Sequence, residues 1–324
     1  MERRRRRCDF QRGKTASAKR VFYLLVLLGN SWVCFRILKD YGYESAWIPL
    51  QSIMNFSFPP PVGHRVLFVL LADGIRAVFP SLDYLKCFLL SQLVSILLAF
   101  EAIRRWGGLF VREELSIVAQ LLLTVILIPT LHYYDFYDFG VVLFFSACLC
   151  CIFTDRFLPY LFLLAVGTFN HEIMLLLVPV FVAVHFPEGL KQRRIWYRVA
   201  LQLVAWGGVQ ALLFWLLPSH ASPVLRLQAN IQEMLHPTPG LLLRYISPAL
   251  WMGAALLGYR RAPRRLRRAL ILLPLLAITT FVYGQFHEVR QFDAFIPVIV
   301  ALILCCVPGD IPPRVLPENP PGAD

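Results

Sequence analysis

Charge is scarce in this sequence. Asp, Glu, Lys and Arg make up 16% of the chain, where a globular protein carries about a quarter. That excludes an ordinary soluble domain. Acidic residues are the scarcer sign, 20 against 32 basic ones, for a formal net charge of +12. The eight cysteines show neither metal-finger spacing nor a disulfide framework. Cys148, Cys150, Cys151, Cys305 and Cys306 lie inside apolar runs, where the thiol behaves as a small hydrophobe. Familiar catalytic signatures are missing as well. There is no Gly-x-Ser-x-Gly elbow and no phosphate-cradling glycine loop, and neither His171-Glu172 nor His287-Glu288 is followed by a second His at metalloprotease spacing. ATP-driven transport and the common hydrolase classes find no support.

Apolar sequence is abundant. Hydrophobic residues make up 58% of the chain, with a mean hydropathy of +0.61. They fall in continuous runs near 21–38, 84–103, 114–131, 139–154, 158–169, 173–186, 196–217, 241–258, 269–285 and 292–307. Such lengths approach the ~20 residues needed to cross the hydrocarbon core, and continuity argues for helices over a β-barrel. The pattern predicts an all-α membrane protein with about ten transmembrane helices. Residues 66–79 carry Asp73 and Arg76 and predict an amphipathic helix on the outer interface. A second short interfacial helix is expected within 224–235. Three regions follow: a basic cytoplasmic tail at 1–20, a membrane domain at 21–307 and a disordered cytoplasmic tail at 308–324.

The basic residues orient this array. Arg3–Arg7, Arg12, Lys14, Lys19 and Arg20 precede the first run. Arg104, Arg105, Arg112 and Arg156, the stretch 191–198 and the arginines of 260–268 lie between later runs. Placing all of them in the cytoplasm satisfies the positive-inside rule, provided that 66–79 does not cross and that 160–186 is a hairpin broken at Asn170-His171-Glu172. Both ends of the chain are then cytoplasmic, as in a multi-pass protein of a cell inner membrane. Basic loops of this kind meet anionic membrane lipids rather than nucleic acid.

Four polar groups are thereby assigned to the outer side: Asp40-Tyr41 with Glu44; His132, Tyr133, Tyr134, Asp135 and Asp138; Asn170, His171 and Glu172; and His287, Glu288, Arg290, Gln291 and Asp293. Ionisable groups at membrane depth are costly and persist where they face a protein interior or a wet cavity. Structural roles are also open to them. Asp138 suits a helix N-cap, and Glu172 suits an ion pair with Arg290. Carboxylates and imidazoles can act as general bases or bind a divalent ion, and Arg can hold phosphate oxygens. A phosphate-bearing amphiphile is the substrate expected at such a membrane-surface site.

The layout resembles that of the GT-C-type membrane glycosyltransferases, particularly uncharacterised bacterial members. The resemblance rests on Arg36-Ile-Leu-Lys-Asp40-Tyr41, on Phe56-Ser-Phe-Pro-Pro-Pro-Val-Gly-His64-Arg65, on Asn170-His171-Glu172 and on Glu288-Val-Arg290. His171 stands where an Arg is expected. The resemblance implies a GT-C-like fold and transfer of a sugar from a polyprenyl-phosphate carrier to an acceptor on the outer face. It implies Asp40 and Glu172 as catalytic residues, with Asp40 as base. Arg65, Arg290, Asn170 and Tyr134 would bind substrate or phosphate. Asp135, His132, His171, His287 and Glu288 would hold a divalent metal, Mg or Mn. Two other classes remain open on the same residues: a transporter or flippase of a lipid-linked saccharide, and a non-catalytic subunit of an envelope-assembly complex.

Overall fold

A computed structural model describes residues 2–43, 64–131, 136–187, 191–217, 225–236, 239–285 and 288–307, and it is helical throughout them. Helix α1 (Glu2–Ile37) runs into a π-turn at Leu38–Tyr43, so the basic stretch ahead of Val21 continues the helix. Helix α2 (Leu67–Val78) buries Phe68, Val69 and Ala72 on one face and turns Asp73 and Arg76 outward, as its amphipathic pattern predicts. Helix α3 (Tyr84–Gly107) starts at Asp83, whose carboxylate accepts from the Leu85 and Lys86 amides at 2.8 and 3.3 Å. That satisfies amides the first helical turn leaves without partners. Next come α4 (Ile117–Leu127), α5 (Asp138–Phe153), α6 (Phe157–Asn170) and α7 (Leu177–Val184), the last entered through a 3-10 turn at Glu172–Leu176. The chain continues with α8 (Arg193–Leu216), α9 (Leu227–Leu235), α10 (Pro239–Tyr259), α11 (Arg264–Ala269) and α12 (Leu272–Tyr283). A 3-10 segment at Val289–Phe295 leads into α13 (Ile296–Leu304).

Among the described residues, four helical stretches are long and apolar enough to cross a membrane: Lys19–Asp40, Tyr84–Gly107, Arg193–Leu216 and Arg264–Tyr283. This is fewer than the number of apolar runs, because several runs form shorter helices. Asp138–Phe153, Phe157–Asn170 and Glu172–Val184 are apolar but fall short of the spanning length. For α5, position explains how it can be short. Helix α5 buries most of its side chains, Asp138 included, whereas Arg193–Leu216 buries only Ile195, Arg198, Gln202 and Leu213. Leu203, Val204, Leu212, Phe214 and Trp215 of α8 point outward instead. An apolar surface of that extent is out of place in water and is normal against lipid.

Packing around α5 fixes the direction of its neighbours. Phe88 of α3 meets Phe136 at 6.0 Å between ring centroids, and Trp106 at the far end of α3 meets Phe153 at 4.8 Å. Helices α3 and α5 therefore run parallel. Trp106 also donates its indole N–H to the Pro297 carbonyl at 2.7 Å, which ties α13 into the same core. At its C-terminus α5 closes in a Schellman turn: Arg156 N–H donates to Cys151 O at 2.9 Å and Asp155 N–H to Ile152 O at 3.3 Å. Asp155 takes the left-handed position this requires, at φ 51°. The chain then reverses at once into α6.

The expected hairpin at 160–186 is present. Helix α6 ends at Asn170, His171 is extended at φ −160° and ψ 132°, and the chain returns. The return is shown by Tyr160, near the start of α6, stacking on Phe181 of α7 at 5.9 Å. Tyr160 further donates to Gln202 of α8 at 2.7 Å.

Helix α5 thus separates two poles. Beyond its C-terminus Asp155 accepts from Arg198 at 2.7 Å, Arg268 bonds the Phe186 carbonyl, and Arg104 and Arg105 close on Glu101 at 2.8 and 2.6 Å. The basic segments expected on one side of a membrane gather at this end. At the opposite end lies the break at 170–172.

Candidate functional site

The break in α6 is built from its own side chains. The His171 amide donates to Gly167 O at 2.9 Å, and the imidazole Nδ1 accepts from the Ile173 amide at 3.2 Å, capping the 3-10 turn that follows. That bond leaves no proton on Nδ1. The contact of 3.4 Å between Nδ1 and Glu172 Oε2 is therefore a close approach and not a donated hydrogen bond. Asn170 is 1% exposed and donates to the Tyr137 carbonyl at 3.0 Å. Its Oδ1 has no hydrogen-bond partner among the described residues. Gly140 makes this fit possible, because a Cβ there would stand 2.5 Å from Asn170 Oδ1.

Glu172 is held by Arg65 through a two-point contact. Nη2 donates to Oε1 at 2.8 Å and Nε to Oε2 at 3.3 Å. This bidentate edge fixes both groups in one plane. The Glu172 carbonyl accepts from the Trp206 indole at 3.0 Å, which anchors the turn to α8. Arg65 is 8% exposed, and its guanidinium carbon lies over the Tyr137 ring, 4.1 Å from the centroid. The edge of His171 meets the same ring at 5.3 Å. Just ahead, His64 is buried against Leu217 O at 3.2 Å and Phe214 at 4.6 Å. Residues 64–66 are thus fastened to the end of α8.

The second pair begins one residue after Tyr137. Asp138, 3% exposed, receives Arg290 Nη1 at 3.5 Å. Arg290 also donates to Glu288 Oε2 from Nε and Nη2 at 3.3 and 3.2 Å, and Gln291 joins that oxygen at 2.9 Å. Residues from four distant parts of the chain (Arg65, Tyr137-Asp138, Asn170-His171-Glu172 and Glu288-Arg290) therefore meet at one pole.

These groups sit at helix breaks, outside the four long apolar helices. Burial alone would raise the Glu172 carboxyl, but the adjacent Arg65 outweighs it and holds the group below its usual range. Burial first, and then the Arg65 charge, lowers the His171 imidazole. One ion pair differs from the sequence expectation. Glu172 pairs with Arg65, not Arg290, because the hairpin tip meets residues 64–66. Asp138 is the first residue of α5, and its carboxylate receives Arg290.

Asp40 stands in the π-turn after α1, half exposed, and pairs with Arg36 at 3.1 Å. No described contact joins it to the Arg65–Glu172 cluster. His132, Tyr134, Asp135 and His287 lie outside the described residues. Among the described residues no three His, Cys, Asp or Glu groups come together as a metal site. Of the described donors, Glu172 and Glu288 pair with guanidinium groups, and the His171 Nδ1 accepts from an amide. Sequence reasoning assigned no role to Tyr137, Gly140 or Trp206. Tyr137 lay inside the polar stretch 132–138, but nothing local marked it above Tyr133 or Tyr134.

No protein-family model, curated protein or solved structure matches this chain.

Proposed function

We propose that this chain is a multi-pass inner-membrane glycosyltransferase of GT-C type. It moves a sugar from a polyprenyl-phosphate-linked donor to an acceptor on the outer face, with both chain ends in the cytoplasm. The remaining apolar runs complete about ten membrane segments. The observation that carries this reading is the meeting of two arginine–carboxylate stations, Arg65–Glu172 and Arg290–Asp138, at the pole opposite the basic loops. A site for a lipid phosphate belongs at the depth of the headgroups, and arginines supply the directed donors that phosphate oxygens need.

In this mechanism Asp40 accepts the acceptor's hydroxyl proton. The acceptor oxygen forms a bond to the sugar's anomeric carbon as the bond to the carrier phosphate breaks. The electron pair leaves with the polyprenyl phosphate, whose charge Arg65 and Arg290 balance. Asn170 orients the donor.

The test is release of free polyprenyl phosphate from a panel of polyprenyl-phosphate-linked sugars by the purified chain in proteoliposomes, read by mass spectrometry. At least one donor is expected to be consumed by the wild type and spared by Arg290→Gln and Asp40→Asn. Consumption unaffected by Asp40→Asn removes the proposed base. Movement of the intact donor across the bilayer without cleavage favours a flippase.

A further inference from the structure

Arg65 is restrained by two groups. Its Nε and Nη2 are bonded to Glu172, and its Cζ lies over the Tyr137 ring, 4.1 Å from the centroid. Tyr137 is 4% exposed, so the ring meets the guanidinium away from water, where a cation–π contact is strongest. The ring is itself held on several sides. Phe136 meets it edge-on at 5.2 Å and His171 at 5.3 Å, while the Tyr137 carbonyl accepts from Asn170 at 3.0 Å. The following residue, Asp138, carries Arg290. Tyr137 therefore stands where the two stations join.

The charges of these stations bear on how an anion would enter. Two guanidiniums here face three carboxylates, those of Glu172, Asp138 and Glu288. A phosphate added to that arrangement unchanged would meet like charge. Exchange of one carboxylate for the phosphate removes the conflict. Glu172 is the group placed to leave, since its side chain is 33% exposed against 5% for Asp138.

We infer that Tyr137 is a positioning residue, holding the face of Arg65 in place while the guanidinium edge exchanges Glu172 for an incoming lipid phosphate. This inference rests on the lipid-phosphate reading above. Glu172, released by the exchange, turns to the solvent that already reaches its side chain, away from the bound phosphate. Without the ring, Arg65 would lose its second restraint at the moment the first is broken.

The test uses the full-length chain in detergent and two readouts. One is modification of Arg65 by phenylglyoxal, resolved by peptide mass spectrometry. The other is affinity for farnesyl phosphate, with farnesol as the uncharged control. Tyr137→Leu is expected to raise labelling of Arg65 several-fold and to weaken farnesyl phosphate binding about tenfold. Tyr137→Phe, which keeps the ring, should stay within about twofold of wild type on both. Because Tyr137→Leu also removes ring packing, a pentafluorophenylalanine at position 137 gives the sharper comparison. It keeps the shape and inverts the ring's electrostatics, so it should follow Leu in binding. If it follows Phe instead, Tyr137 is packing and the inference is overturned. If wild type binds farnesyl phosphate no better than farnesol, the exchange is overturned together with the lipid-phosphate reading. Labelling still reports whether Tyr137 places Arg65, so the two failures are distinguishable.

Discussion

Arg65 and Glu172, 107 residues apart in the chain, are joined by hydrogen bonds of 2.8 and 3.3 Å. One partner opens the segment before α2 and the other opens the turn after α6. Their meeting ties the hairpin tip to the pole at the start of α5, and it does so with charges that are poorly hydrated. Removing one partner of such a pair leaves the other without compensation, which costs more than the intact pair contributes.

Arg65→Met should therefore destabilise the protein by about 2 kcal/mol, below the range for a fully buried pair because Glu172 is partly exposed. Arg65→Met combined with Glu172→Gln should recover at least half of that loss. Thermal unfolding in detergent measures both. An unchanged midpoint for Arg65→Met alone would show that the pair is not a structural restraint.

Gly140→Ala should cost about 1–3 kcal/mol by overpacking, since its Cβ would lie 2.5 Å from Asn170 Oδ1. Adding Asn170→Ala removes the obstructing amide and should restore part of the stability. Failure of the second change to help would place the conflict elsewhere.

Acid should loosen the site. Burial and Arg65 lower the His171 imidazole from 6.5 to about 3. The unfolded chain thus takes up this proton at a higher pH than the folded chain does. Its contribution to stability is present above pH 6.5 and is lost progressively as the pH falls from there toward 3. Glu172, also lowered, acts in the same direction further down the scale. His171→Gln should flatten the dependence of the unfolding midpoint on pH between 6.5 and 4.5. A slope as steep as wild type in that window would assign the loss to other groups.

The two poles should label from opposite sides of a membrane. A cysteine placed at Lys191, beside the Asp155–Arg198 end, should react with an impermeant maleimide only from the cytoplasmic side of oriented vesicles. A cysteine at Gln291 should react only from the other side. Labelling of both from one side would reject the proposed topology, and with it the outer-face site.

Much of the helical content was legible in the residues themselves. The apolar runs of α3 and α8 predict helices where they occur, and the alternation of Phe68, Val69 and Ala72 with Asp73 and Arg76 predicts the amphipathic α2. The break at Asn170-His171-Glu172 was legible for the same reason: three polar side chains interrupt an apolar stretch, and the positive-inside rule required a turn there. Helix lengths were less legible. A run such as 139–154 has the composition of a membrane segment, yet it forms a short central helix that is shielded by its neighbours.

The partners of the charged residues were decided only by tertiary structure. Sequence alone allowed Glu172 to meet Arg290, whereas the path of the hairpin past α5 delivers it to Arg65 and leaves Arg290 to Asp138. Tyr137 acquires its place in the same way. Nothing in its neighbourhood of the sequence distinguishes it from Tyr133 or Tyr134, because a cation–π contact depends on which ring a distant guanidinium is laid against. Hydrophobicity and helix breaks are local properties, written in consecutive residues. Ion pairs and ring contacts join segments far apart in the chain, and their identity follows from how the helices pack.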